Sequence, residues 1–352
     1  MSAAKKRGGC LKFLLGFLLL AGFAAGGAAF WAWQRVSAAY QGFAGIEVTV
    51  DVASGSSAGA ILAQLERAGV LRDARLSGLW LQHLRGNPPL RAGEYRFSGP
   101  HSTPEVLERL IHGEVLGHPV TLVEGLSLKA TIAHLAEAGF GDLEKLRAAA
   151  QDPSSIHDLD PAATDLEGYL FPDTYSFPRH TPEIEVIATL VRTFRKRALP
   201  AVSTGGPRTL RQILTLGSIV EKEAKLDTER PLIAAVYANR LRIGMGLYAD
   251  PTVIYALERR GGFDGNLRRA DLGVDDPYNT YRYPGLPPGP ICSPGLASLA
   301  AAAHPATAPY LYFVSRNDGS HVFANTLAEH NRNVDIYQKR YWRERWAAEK
   351  GQ

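Results

Sequence analysis

Leu210–Leu226, LRQILTLGSIVEKEAKL, decides how the chain is read. The spacing predicts an amphipathic helix that carries two glutamates into an apolar stripe. At ~100° per residue, Leu216, Ile219, Val220 and Leu226 share one face, with Glu223 near its middle. Glu221 lies about 200° away, towards the polar edge. The register therefore favours Glu223 as the carboxyl group turned towards the core. Apolar surroundings disfavour the charged form and raise the pKa. A carboxylic acid kept protonated near neutral pH can hand its proton to a leaving oxygen. The bland alternative is a solvated Glu-Lys-Glu edge, with Lys222 and Lys225 as partners.

Around this stretch the chain has 352 residues, 45% hydrophobic and 21% charged, enough for two or three globular domains. The net charge of +4 comes with no basic, aromatic-interleaved stripe, so a nucleic-acid partner is not expected. Two cysteines, Cys10 and Cys292, are expected as free thiols, because a disulfide between them would have to cross a membrane. Neither C-x-x-C nor H-E-x-x-H, P-loop or G-x-G-x-x-G occurs, and the ten histidines are scattered. No metal or cofactor is expected.

Lys5, Lys6 and Arg7 open the chain, and Phe13–Trp33 follows as 21 residues without a charge. As a helix this run is about 31 Å long, enough to cross a bilayer. Trp31 and Trp33 fall where an interfacial aromatic belt belongs. We expect a cytosolic segment at 1–12, a membrane span at 13–35 and everything later outside the cytosol. The competing reading is a cleaved signal peptide with Leu14–Leu20 as its apolar core.

Ile46, Val48, Val50 and Val52 alternate with polar residues as in a half-buried strand. Two helices follow, one carrying Ile61, Leu62 and Leu65, the other Leu76, Leu79, Trp80 and Leu84. Leu90–Phe97 is a second strand, and Thr103-Pro104 opens a helix that ends near Gly113. Strand, helix, helix, strand is the order of a LysM module, which binds glycans that contain N-acetylglucosamine. We assign 46–120 as a LysM-like subdomain; a packing domain without a ligand has the same order. Gly55–Gly69, GSSAGAILAQLERAG, aligns without gaps on Gly125–Gly139, GLSLKATIAHLAEAG, at an offset of 70 residues. Residues 121–160 read as a connecting strand–helix region and 161–340 as the catalytic domain. The fold class is α+β: an N-terminal transmembrane helix, a LysM-like small α/β subdomain, then an α+β catalytic domain.

In that last domain Leu166–Phe177 gathers aromatics around Glu167 and Asp173. Pro277–Pro290 sets Tyr278, Tyr281 and Tyr283 on a stiff, proline-rich backbone. Tyrosines on rigid loops can stack on sugar faces. Asp250, Asn279 and Thr280 supply short polar contacts. Candidate substrate contacts are Tyr169, Asp173, Asp250, Tyr278, Asn279, Thr280 and Tyr281. Glycosidases usually need two carboxylates, and Glu221, Asp173 and Asp250 are the candidate partners of Glu223. A muramyl substrate needs only one. Its own C6 hydroxyl can attack C1 once a glutamate has protonated the leaving O4.

Six stretches carry a resemblance: GSIVEKEA at 217–224, EGYLFPDTY at 167–175, RLRIGMGLYADPTVIYAL at 240–257, YNTYRYPGLPPGPICSPG at 278–295, AAAHPATAPYLYFV at 301–314 and HNRNV at 330–334. Through them the chain resembles the YceG-like endolytic murein transglycosylases. The resemblance implies an inner-membrane anchor, a periplasmic catalytic domain and cleavage within nascent glycan strands, terminating their elongation. It implies peptidoglycan strands and cell-wall synthases (penicillin-binding proteins) as partners. Its catalytic glutamate lies in the Glu-Lys-Glu segment, carried here to Glu223 with Glu221 in reserve. Ala224 departs from the small hydroxyl residue that relatives often place there. Two rivals remain: a glycan-binding scaffold without activity, and a water-using muramidase with Asp173 or Asp250 as base.

Overall fold

The computed structural model describes residues 7–202 and 207–350, with side chains from 12 to 202 and from 207 to 346. Lys5 and Lys6, and the side chains of Arg7 and Cys10, lie outside the described residues. The chain divides into two compact units, Met1–His118 with Phe177–His180, and Pro119–Ser176 with Thr181–Gln352.

The first unit opens with α1, Arg7–Ser37. Its segment Lys12–Ser37 is long and apolar enough to cross a membrane, and its apolar side chains are exposed. Exposed Phe and Leu along a whole helix would be costly in water and are satisfied in lipid. This fits a single-pass anchor or a signal sequence. Then come β1 (Glu47–Val52), α2 (Ala58–Arg67), α3 (Ala74–Leu84), β2 (Gly93–Ser98) and α4 (Thr103–His112). The strand begins one residue later than its alternation suggests, for Ile46 is 88% exposed. β1 and β2 pair antiparallel with Val50 opposite Tyr95. Val50, Val52, Tyr95 and Phe97 turn inward onto Ile61, Leu62, Leu65, Val106, Leu107 and Leu110. The strand–helix–helix–strand order expected from the sequence is therefore present.

β3 (Gly117–Thr121) leads from the first unit into the second, which continues through α5 (Leu128–Glu137), α6 (Leu143–Gln151), most of β4 (Thr174–Pro178) and α7 (Glu183–Thr193). A π-helical turn leads from α7 into α8 (Leu199–Val202). The repeated sequence is a repeated structure. Ser57 caps α2 by accepting a hydrogen bond from the Ala60 N–H, and Ser127 caps α5 in the same way from Ala130. The next helices are capped by Asp73 and Asp142, and β3 pairs with β4 in a second two-stranded sheet. The chain thus builds strand–helix–helix–strand twice.

The remainder of the second unit is mostly helical: α9 (Leu210–Glu223), α10 (Arg230–Arg242), α11 (Asp250–Arg259) and α12 (Leu296–Ala303). A hairpin of β5 (Tyr312–Ser315) and β6 (His321–Ala324) pairs Phe313 with Phe323, and α13 (Leu327–Val334) and α14 (Tyr341–Lys350) end the chain. β5 is half-buried along its length. α9 is the central element, buried without a break from Ile213 to Val220, and packs on α10, α11 and α12. Gly217 allows the α12 approach: a Cβ there would meet the Leu299 Cδ2 at 3.3 Å and the Ser298 carbonyl oxygen at 3.5 Å.

Candidate active site

Glu223 is the last residue of α9, followed by Ala224 with extended backbone. The helix is shorter than its apolar pattern suggests. Leu226 lies outside it and is 42% exposed, so it does not share the face of Glu223. The inward register stands on Leu216, Ile219 and Val220, all fully buried. The Glu223 side chain reaches α10, where the Tyr237 hydroxyl donates to its Oε1 at 3.2 Å. Burial pushes the Glu223 carboxyl up to about 7. The Tyr237 hydrogen bond and the Arg240 charge pull it down, and the negative charge of Asp250 pushes it further up. A carboxyl group poised there can act as acid and as base near neutral pH.

Arg240 sits one helical turn after Tyr237. Its Nε donates to the Leu311 carbonyl at 2.7 Å and its Nη1 to the Leu247 carbonyl. The guanidinium lies 5.9 Å from the Tyr237 ring, 5.9 Å from Tyr248 and 5.5 Å from Tyr312. These cation–π contacts hold a positive charge near Glu223 without a direct ion pair.

Asp250 opens α11, where a helix N-terminus favours a carboxylate. It accepts a 2.6 Å hydrogen bond from the Tyr281 hydroxyl, and the Tyr281 ring meets Tyr248 edge-on at 5.5 Å. Tyr248 holds φ at +49°, uncommon for a residue with a side chain. What holds it is Thr280. Its carbonyl accepts from the Tyr248 N–H at 3.4 Å, and its Oγ1 accepts from the Ala249 N–H at 3.0 Å and pairs with Thr252 Oγ1 at 2.9 Å. Asn279 is fully buried: its amide donates to the Leu272 and Val274 carbonyls and its Oδ1 accepts from the Tyr281 N–H. Asn279 and Thr280, expected to touch substrate, are buried and committed to the loop that presents Tyr281, Tyr248 and Asp250. Glu223, Asp250 and Tyr281 are brought into one electrostatic group.

The other expected contacts go elsewhere. Tyr169 is buried, its hydroxyl donating to Asp160 at 2.7 Å, while Arg211 donates to the same oxygen. Asp173 is ion-paired with Arg197. Tyr278 packs on Tyr255 at 4.9 Å and lies under the Arg259 guanidinium. Burial lifts the Tyr278 hydroxyl above its ordinary range. Glu167, singled out only as the centre of an aromatic cluster, accepts from the Leu128 N–H and, at 3.0 Å, from the Tyr255 hydroxyl. Burial raises it to about 8. A cavity of about 480 Å³ opens beside it, lined by Lys129, Asp165, Tyr255 and Arg259 among others.

Glu221 was expected to be ionised and partly solvated. Its side chain is instead buried, only 6% exposed. Arg230 Nη1 donates to Oε1 at 2.9 Å, and the Gly295 N–H donates to Oε2 at 2.9 Å. Arg230 also donates to Asp227 and Ser298. A Cβ on Gly295 would lie 1.8 Å from Glu124 Oε1, so a larger residue there would push the Glu124 side chain aside. Both oxygens of Glu221 are thus committed, one to a permanent cation and one to a backbone donor.

Sequence reasoning missed Tyr237 and Arg240. Both lie on α10, and contacts across helices leave no periodic signal.

Residues 50–336 match the model of the YceG-like family. A protein of Bacillus subtilis named endolytic murein transglycosylase is 31% identical over 311 residues, which are 82% of this chain and 84% of the relative. One of the same name from Streptococcus pneumoniae serotype 2 is 30% identical over 321 residues, 82% of this chain and 58% of the longer relative. The 2.6 Å crystal structure of a putative yceG-like protein from Listeria monocytogenes superposes with a TM-score of 0.55 at 30% identity, covering 81% of this chain and 98% of that one. A family match over most of the sequence and a similar solved fold agree, and the chain belongs to the YceG-like family.

Proposed function

We propose that this chain is a murein transglycosylase that cuts within glycan strands and uses Glu223 as its acid and then its base. The observation that carries the reading is the carboxyl group of Glu223, raised to about 7 by burial and held by Tyr237. The names of the relatives supply the substrate class, peptidoglycan.

In the first half of the reaction neutral Glu223 gives its proton to O4 of the leaving N-acetylglucosamine, and the bond from C1 of N-acetylmuramic acid to that oxygen breaks. In the second half the C6 hydroxyl of the same muramic acid bonds to C1, and Glu223 takes back the proton. The product is a 1,6-anhydromuramyl end. No water is consumed, and Glu223 ends as it began. The carboxylate of Asp250 offers negative charge to the positive C1 centre, and Tyr281 fixes its direction. Tyr248 and Tyr281 offer ring surface for a sugar.

In this reading α1 anchors the chain in the bacterial inner membrane, with the catalytic half in the periplasm, where nascent strands pass. Cutting such strands would terminate their elongation and place the protein beside cell-wall synthases. The β1–β2 module would hold glycan in the manner of a LysM module.

A water-using muramidase needs a carboxylate base, and Asp250 is the one whose charge acts on Glu223. Mass spectrometry of sacculi digested by the purified protein separates the outcomes. The proposal expects anhydro ends. Reducing ends would assign a muramidase, and uncut strands a scaffold.

A further inference from the structure

The last turns of α1 carry Trp31, Trp33, Gln34, Arg35 and Ser37. Together with Ala38 and Arg72 they line a cavity of about 570 Å³ in the first unit. Arg35 lies 5.3 Å from the Trp31 ring and Arg72 lies 5.0 Å from the Tyr40 ring. The Nε of each guanidinium is closed off from solvent and has no hydrogen-bond partner among the described residues. No Asp or Glu lines the cavity.

Two arginines that line one space with no carboxylate in the lining keep their charges unneutralised, and like charges repel. An arginine at a helix C-terminus is ordinarily explained by the helix dipole and by snorkelling to water. That explanation covers Arg35 alone. Arg72 comes from a separate segment after α2 and adds a second positive charge to the same space. A pair of planar forks suits an oxyanion that accepts bidentate bonds from both, and phosphate is the group that fits. The flanking tryptophans mark the level of the bilayer interface if Lys12–Ser37 spans it. At that level the phosphate at hand belongs to a lipid.

We propose that Arg35 and Arg72 form a binding site for the phosphate of a membrane-lipid headgroup, with Gln34 and Ser37 as neutral donors. The site rests on the membrane-spanning reading of α1 and is independent of the chemistry at Glu223.

The test uses the full chain in mild detergent. It is incubated separately with phosphatidylglycerol, with a polyprenyl diphosphate and with diacylglycerol, and bound lipid is counted by native mass spectrometry. One phosphate lipid per chain should be retained, and diacylglycerol should not. Stronger retention of the polyprenyl diphosphate assigns the site to the lipid that carries growing glycan, and equal retention to bulk phospholipid. The variant R35Q/R72Q should lower retention by ~10-fold or more, as expected for lost bidentate bonds. Should that variant misfold by circular dichroism, A38E replaces it: it keeps both arginines and sets a carboxylate in the lining, with the same loss expected. Unchanged retention in the folded variant, or equal retention of diacylglycerol, overturns the site. Alkaline washing of membranes tests the anchor separately: a released chain marks failure of the spanning reading, whereas a retained chain that holds no phosphate lipid marks failure of the site.

Discussion

The hydroxyl of Tyr237 donates to Oε1 of Glu223 at 3.2 Å, from a ring that is itself buried edge-on against Phe313. This one contact fixes the carboxyl group in space and moderates the rise in pKa that burial causes. Burial raises the Tyr237 hydroxyl far above its ordinary range, so it stays a donor at any working pH.

The first prediction follows from that contact. The free protein should lose activity as pH rises through about 7, because the first step needs neutral Glu223. Tyr237→Phe removes a bond to the charged form, so the alkaline limb should move up. Asp250→Asn removes a repelling charge, so the limb should move down. Rate–pH profiles of the two variants should shift in opposite directions, and equal shifts would contradict the electrostatic reading.

A second prediction concerns stability. The folded pKa of Glu223 is raised above its unfolded value, so the native state holds the proton more tightly. Stability should fall between about 4.5 and about 7, as the native carboxyl is forced to ionise. Glu223→Gln removes this penalty. Relative to wild type it should melt higher at pH 8 than at pH 5, by ~2–4 °C for each kcal/mol relieved. Scanning calorimetry at the two pH values measures it.

Arg230 and Glu221 form a buried pair, with side chains 8% and 6% exposed. Arg230→Ala leaves Glu221 without its cation and should cost about 3–5 kcal/mol in urea unfolding. A loss below about 1 kcal/mol would mean that the pair is solvated as surface pairs are.

Topology gives a fourth prediction. A reporter fused after Gln352 should be active only outside the cytosol, and detergent should be needed to release the intact chain. Recovery of a soluble form starting near residues 27–30 would assign a cleaved signal peptide.

Much of this was legible in the sequence, for identifiable reasons. The inward turn of Glu223 follows from the 3.6-residue period of Leu216, Ile219 and Val220. Serine and glycine punctuation showed both strand–helix units, since Ser57 and Ser127 cap them, and Gly69 and Gly139 take positive φ after them. The end of α9 was hidden, because Ala224, Lys225 and Leu226 carry no stop signal. The roles of Asn279 and Thr280 were hidden as well. Short polar residues on a tyrosine-rich loop look alike whether they face a ligand or brace the loop. Only their burial and their bonds to Leu272, Val274 and Ala249 tell the two apart. Tyr237 and Arg240 depend on how α10 docks on α9, which no local pattern encodes.

The central claim is that Glu223, not Glu221, moves the proton. The direct measurement is the yield of anhydro-muropeptides from purified sacculi for Glu223→Gln and Glu221→Gln, with folding checked by circular dichroism. General acid–base catalysis contributes ~10²–10⁴-fold, so Glu223→Gln should lose at least that much while still binding glycan. Glu221→Gln should lose ~10-fold, through the disturbed hold of Arg230 and Gly295 on the end of α9. An active Glu223→Gln beside a folded but inactive Glu221→Gln would contradict the account and pass the catalytic role to Glu221.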